Sequence, residues 1–317
     1  MSEIRNNWTL EEVSDLFKKD LNYLLFNAHT LHKKYHNENE VQMCTLLSIK
    51  TGGCPEDCGY CSQSIHSDQP MEPTKLMSLE EVKQKALDAK KNGSMRFCMG
   101  AAWRKPSNKN LERVIEMIKV VKSTGLEACV TLGMLTKQQA SMLSDAGLDY
   151  YNHNIDTSEN YYKEIITTRT FQDRIDTLDN VREAGVKVCS GGIIGMGESS
   201  EDRLSFLIAL SNLEKHPESV PINTLVPIKG TKLFNSAGVD EIDFIKIICL
   251  ARIMMPKSYV RLSAGRESMP KSMQALCFFA GANSIFYGEE LLTTPNNPVE
   301  KDKKLLNDLG ISLQSSN

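Results

Sequence analysis

The sequence predicts an α/β fold, a closed parallel (β/α)8 barrel with a helical extension in front of it. Two observations carry that reading. Eight strand-like stretches, at 41–49, 94–99, 126–131, 148–153, 186–190, 220–226, 258–263 and 283–286, alternate with helical patterns. Glycines at 125, 147 and 185 each follow a helical run, where a left-handed residue ends a helix. An open doubly wound sheet is the alternative for the same rhythm, and the number of strands favours the barrel.

The first element is helical. Leu10, Val13, Phe17, Leu21, Leu24, Ala28, Leu31 and Tyr35 recur in steps of three and four, which predicts one amphipathic helix over 10–35. Thr9 with Glu12 forms a capping box at its start. Ser78/Glu81 and Thr136/Gln139 are further capping boxes at the starts of later helices. The chain thus divides into a helical extension (1–40), a barrel (41–294) and a polar tail (295–317) expected to be loosely attached.

Composition narrows the function. The 317 residues are 41% apolar and 24% charged, with a formal net charge of −3. That excludes collagen-like, disordered and disulfide-scaffold classes. It also argues against a general binder of nucleic acid or membrane surfaces, which needs a basic field. No apolar run reaches the roughly 18 residues of a membrane span. The opening MSEIRNNW reads as neither signal nor transit peptide, so the expected compartment is the cytoplasm, where thiols stay reduced. Against that background nine cysteines need explaining.

Strand parity explains part of them. Successive side chains point to opposite faces of a strand. Phe97 and Met99 oppose Arg96 and Cys98. Ala128, Val130 and Leu132 oppose Glu127, Cys129 and Thr131. Val186 and Val188 oppose Lys187 and Cys189, and Val260 and Leu262 oppose Tyr259, Arg261 and Ser263. The apolar face must meet the helices, so charges and thiols face the lumen. Ordinary barrels fill that space with Val, Ile and Leu. An unpaired buried charge is costly, so a polar or metallic occupant is expected. Cys44 reads as facing an edge of the first strand, and Cys249 and Cys277 as core.

Three more thiols lie close together in Cys54-Pro-Glu-Asp-Cys58-Gly-Tyr-Cys61, after Gly52-Gly53 and the first strand. Thiolates are soft ligands suited to zinc or iron–sulfur clusters. His66 would complete a Cys3His zinc site. A cubane cluster on three thiolates would instead leave one iron open. Asn152, Asn154 and Asp156 alternate at the end of the fourth strand, and Asn223 is comparably placed near the end of the sixth. Amides there suit a cyclic urea or hydroxyls, or else cap the strand ends. His153, of opposite parity, reads as structural.

The CxxxCxxC spacing after the first strand of a βα barrel resembles the radical S-adenosylmethionine (SAM) superfamily. TGGCPEDCGYCSQS, RFCMGAAWR, YNHNIDTS, VCSGGIIGMGE, RLSAGRE and CFFAGANSIFYG, spread from residue 41 to about 294, resemble the biotin synthase family more closely still. The proline-rich Ser67–Pro73 segment departs from the family pattern. The resemblance implies a TIM-type barrel of the radical SAM kind and a sulfurtransferase that inserts sulfur into dethiobiotin. It gives Cys54, Cys58 and Cys61 to a 4Fe–4S cluster whose open iron binds SAM. Cys98, Cys129, Cys189 and Arg261 would hold a 2Fe–2S cluster that donates the sulfur.

It further assigns Asn152 and Asn223 to the ureido ring of dethiobiotin, Asn154 to both substrate and SAM, and Asp156 to the SAM ribose. Tyr60 would flank the SAM adenine, or simply pack the loop. Gly192 and Ile193 would let backbone approach the adenosyl group. A radical cut from SAM would take hydrogen from the substrate carbon, so no side chain is assigned as the catalytic group. A small reduced electron donor such as flavodoxin or ferredoxin and a homodimer complete the implied partners, with no nucleic acid and no membrane.

Overall fold

The computed structural model describes residues 4–314. Its strands are β1 (Glu40–Lys50), β2 (Arg96–Ala101), β3 (Glu127–Thr131), β4 (Tyr150–Asn152), β5 (Lys187–Cys189), β6 (Gly192–Ile194), β7 (Ser219–Thr224), β8 (Tyr259–Leu262), β9 (Ser284–Phe286) and β10 (Ser312–Leu313). Parallel pairing runs β1-β2-β3-β4-β5-β7-β8-β9, and β9 returns to β1. The sheet is therefore a closed barrel of eight staves. The fifth stave is split: β5 meets β7 through Cys189 and Ser219, and β6 continues along β7 from Gly192 to Ile194. Gly191 makes the break possible, because a Cβ there would land on the Pro221 carbonyl.

The outward faces behave as parity predicts. Phe97, Met99, Ala128, Val130, Val188, Val220, Ile222, Val260, Leu262 and Ile285 are all sealed into one core between strands and helices. Each of these side chains other than Ala128 contributes about 1.5–3 kcal/mol by leaving water. The anticipated capping boxes at Thr9, Ser78 and Thr136 are all formed. Thr170/Asp173 and Ser199/Asp202 add two that the Glu/Gln pattern overlooked.

Two expectations are corrected. The helix over 10–35 is two helices, α1 (Leu10–Phe17) and α2 (Leu21–Tyr35), separated by the polar Lys18–Asp20. The break lets α1 pack on the helix at Ser200–Ser211 while α2 lies along the helix at Glu241–Met254. The tail is also not loose over its described part. Val299–Leu309 is a helix, and β10 extends the sheet beside β1. Val299, Leu305, Leu306 and Leu309 pack inward. Asp302 is fully buried against Arg266, at 2.6 Å through both carboxylate oxygens. Residues 315–317 lie outside the described part.

Candidate active site

A cavity of about 300 Å3 occupies the barrel mouth. Its wall includes Cys54, Cys58 and Cys61 from the loop after β1, Asn152 at the end of β4, Asn154 and Asp156 just after it, and Asn223 near the end of β7. Sequence reading had named all seven. His153 also reaches the wall, since the strand stops at Asn152 and parity stops with it.

The cysteine loop is irregular and is fixed by hydrogen bonds at both flanks. The Cys54 amide donates to the Gln63 carbonyl and the Ile65 amide to that of Cys54, each at 2.9 Å. The Asp57 carboxylate accepts from the amides of Thr167 and Thr168 at 2.9 and 3.1 Å, and from both threonine hydroxyls. Burial opposes the charge on Asp57, but the threonine bonds outweigh it and hold its carboxyl down at about 2. The proline-rich segment folds back over Gly52 and Gly53. Both have positive φ, and a Cβ on either would press on Met71, Glu72 or Pro73.

Burial pushes the Cys61 thiol up to about 11 and Cys58 to about 12. Arg169 opposes this, its Nη2 lying 3.4 Å from Cys58 Sγ. His66 is exposed and is absent from the wall of the mouth cavity; it lines a second cavity with Cys58 and Cys61. Among the described residues no group of His, Cys, Asp and Glu is gathered to hold a single metal ion. The wider reach of a multi-iron cluster fits a set of three cysteines bordering an open cavity better than one zinc ion does.

Deeper in the lumen, Cys98 and Cys129 are register partners on β2 and β3. Cys189 enters from β5, and Arg261 from β8 donates toward it at 3.9 Å. Arg96 is fully buried at the closed end. It stacks on the Tyr150 ring at 3.3 Å, donates from Nε to Glu127 at 3.0 Å, and leaves Nη1 without a hydrogen-bond partner. Two buried guanidinium groups among thiols make a lumen that favours an anionic occupant, which suits a thiolate-bound cluster. Cys44, expected at a strand edge, is instead a lumen residue packed with Cys98, Cys129, Tyr150 and Phe286. Cys249 and Cys277 are core as expected.

The polar groups at the mouth differ in what they have left to offer. Asn152 Oδ1 is buried without a partner. Asn154 Oδ1 accepts from the Gly191 amide at 3.1 Å. Asn223 donates to the Gly192 carbonyl at 2.8 Å and accepts from the Ala264 amide at 3.0 Å, so it ties two loops together with half of its capacity. Asp156 has φ 68 and is the single non-glycine residue with positive φ among those described. Its carboxylate accepts from Tyr60 Oη at 3.0 Å and from Arg174. Ile193 lines the cavity. Gly192 does not: its Cα faces the Asp156 carbonyl and Phe206, with no room for a Cβ. Packing by itself accounts for a glycine at 192. The rest of that loop is fastened by Glu198, which accepts from the amides of Gly195 and Met196 and from Arg203.

Sequence reading missed Glu56, Arg169 and Arg174 in the cavity wall, which carry no periodic or spacing signal. It also missed Leu291–Thr294, which close one side of the mouth.

Residues 48–209 match the Radical SAM superfamily, and residues 221–312 match the Biotin and Thiamin Synthesis associated domain. The chain is 57% identical to the biotin synthase of Erythrobacter litoralis, covering 98% of this chain and 93% of that protein. It is 56% identical to that of Legionella pneumophila (strain Paris), covering 98% and 99%. The chain belongs to the biotin synthase family. The biotin synthase of Hahella chejuensis adds 61% identity over 98% of this chain and 88% of that one. As a family member the chain is a radical SAM sulfurtransferase of biotin synthesis that works with SAM and iron–sulfur clusters. Solved structures share the fold at low identity. Methylornithine synthase gives a TM-score of 0.81 at 19% identity, over 97% of this chain and 94% of that one. The FeFe-hydrogenase maturase HydG from Carboxydothermus hydrogenoformans gives 0.83 at 19%, over 97% and 76%.

Proposed function

We propose that the two groups of thiols hold two different clusters for one reaction, the insertion of sulfur into dethiobiotin. Cys54, Cys58 and Cys61 hold a 4Fe–4S cluster at the mouth. Cys98, Cys129 and Cys189 hold a 2Fe–2S cluster below it, with Arg261 at the fourth position that the family pattern gives it. When bound, the upper cluster supplies the electron that splits SAM, and the lower one supplies the sulfur that closes the thiophane ring. The observation that carries this reading is the presence of two thiol groups at two depths of one lumen.

The chain's own residues do the rest. Cys58 and Cys61 give up protons on taking metal, since burial holds both thiols protonated at neutral pH. Asn152 presents a buried carbonyl oxygen with no donor, matched to a ureido N–H of dethiobiotin. Asn154 and Asn223 fix the neighbouring backbone, and keep two donor hydrogens and one, respectively, for substrate. Tyr60, Asp156 and Ile193 form the side of the cavity assigned to SAM. No helix among the described residues is long and apolar enough to cross a membrane. A cytoplasmic homodimer fed by a small reduced flavodoxin or ferredoxin completes the proposal.

The test separates the two centres. Cys189→Ala is expected to lose the 2Fe–2S spectrum and biotin formation while reductive SAM cleavage persists. Wild-type protein loaded with heavy-isotope sulfide is expected to pass the label into biotin in a single turnover. Biotin carrying only unlabelled sulfur would refute the donor role.

A further inference from the structure

The lumen holds four cysteines, and the proposal above uses three. The fourth, Cys44, comes from β1, the stave between β9 and β2. It is fully buried, and its strand neighbour on β2 is Arg96, two residues before Cys98. The Arg261 guanidinium joins it to the other thiols. Nη2 donates to Cys44 Sγ at 3.1 Å, Nη1 points toward Cys189 Sγ at 3.9 Å, and Nε donates to Ser284 Oγ at 2.9 Å. Cys44 is thus the thiol closest to Arg261, and the side chain assigned the fourth position is already donating to it.

The chemistry of the two candidates differs. A protonated guanidinium has five donors and no free lone pair, and it stays protonated in proteins. A thiolate is the ordinary ligand of a 2Fe–2S centre, which takes four. Cys44, Cys98, Cys129 and Cys189 make up such a set from β1, β2, β3 and β5, with Arg261 and Arg96 as its counter-cations.

We propose that Cys44 is a fourth ligating thiolate of the lumen, which completes an all-cysteine set with Cys98, Cys129 and Cys189 when Arg261 does not occupy the fourth position. This rests on the reading that the lumen holds a second cluster. Its consequence is that the cluster survives loss of Arg261 but not loss of Arg261 and Cys44 together.

The experiment reconstitutes full-length protein with 57Fe and sulfide under anaerobic conditions, and reads the lumen cluster by Mössbauer and resonance Raman spectroscopy. The wild type, Cys44→Ser, Arg261→Leu and the double variant are compared. Serine keeps a hydrogen-bonding partner for Arg261. Arg261→Gln serves as a second replacement if leucine disturbs folding. Arg261→Leu is expected to keep about two lumen irons per chain with the Raman pattern of four thiolates. The double variant is expected to retain about tenfold less lumen iron, or lower still. Equal loss in Arg261→Leu and Arg261→Gln, with or without Cys44, would overturn the role of Cys44, as would a double variant that keeps its cluster. A wild type that binds only the mouth cluster would overturn the lumen reading itself, a result distinct from either.

Discussion

The loop thiols and the lumen thiols are brought together by opposite means. Cys54, Cys58 and Cys61 are close because they are close in sequence, and an irregular loop is then fastened around them by Asp57, Gln63 and the turn at Thr167–Thr168. Cys44, Cys98, Cys129 and Cys189 are far apart in sequence and come from four strands, with Cys98 and Cys129 as register partners and Arg261 reaching Cys44 and Cys189. The first arrangement rests on loop hydrogen bonds. The second rests on the strands of the barrel. A centre that must leave an iron open to a changing ligand suits the loop. A sulfur source that must be presented in one place suits the staves.

The contrast can be broken most completely at the loop. Cys58→Ala is expected to abolish SAM cleavage, measured as 5′-deoxyadenosine release, while the lumen cluster still assembles. SAM cleavage at the wild-type rate would refute the ligand assignment. A gentler change sharpens the same contrast. Asp57→Ala removes the fastening without touching a thiol, and should cost about 1–3 kcal/mol in urea unfolding because four donors at Thr167 and Thr168 lose their acceptor. It should also lower iron retention at the mouth and leave the lumen unaffected. Equal iron loss at both sites would mean that the two centres are not independent.

Between the two lies Asn152, at the last strand residue. Asn152→Ala should leave both clusters assembled and weaken dethiobiotin binding by about 1–3 kcal/mol in an equilibrium titration with SAM present. Unchanged affinity would make Asn152 a strand-end residue only.

The smallest effect concerns acid. The Asp57 fastening contributes stability that is present above the ordinary carboxylate range and is lost progressively as pH falls from that range through about 2. The first acid weakening is therefore expected outside the site, on α2. Burial holds His32 down at about 3 and His36 at about 4, with Arg252 adding to both. Unfolding frees these imidazoles to take protons below about 6.5, so stability falls from there toward the folded values, by on the order of 1 kcal/mol per histidine at pH 5. Thermal melts of His32→Gln should be flatter between pH 7 and 5 than those of the wild type. An identical slope would show that His32 does not set it.

What was legible follows from the same contrast. Short-range spacing made the loop readable from the string CPEDCGYC. Parity made Cys98, Cys129, Cys189 and Arg261 readable because their strands are apolar on one side only. β1 gives no such signal. Val41, Met43 and Leu47 on one face are matched by Cys44 and Leu46 on the other, so nothing marked Cys44 as inward. Parity also ended at Asn152, which left His153 unpredictable. The split in the fifth stave depends on how close Gly191 comes to Pro221, a distance no single-strand pattern contains. The helix at Val299–Leu309 was hidden by its charges, and the decisive one, Asp302, points inward.

That inward aspartate has a consequence for how the chain is made. Arg266 follows β8 and is sealed beneath the mouth, where it also donates to the Phe286 carbonyl at 3.0 Å. Its carboxylate partner lies 36 residues further along the chain. Until Asp302 emerges, every stave of the barrel has been synthesised, yet one buried arginine still lacks its counter-charge. The segment carrying Leu291–Thr294 lies between those two points in the sequence, so the ion pair brackets this wall of the cavity. A chain interrupted before Asp302 would carry all nine cysteines and still lack a finished place to use them.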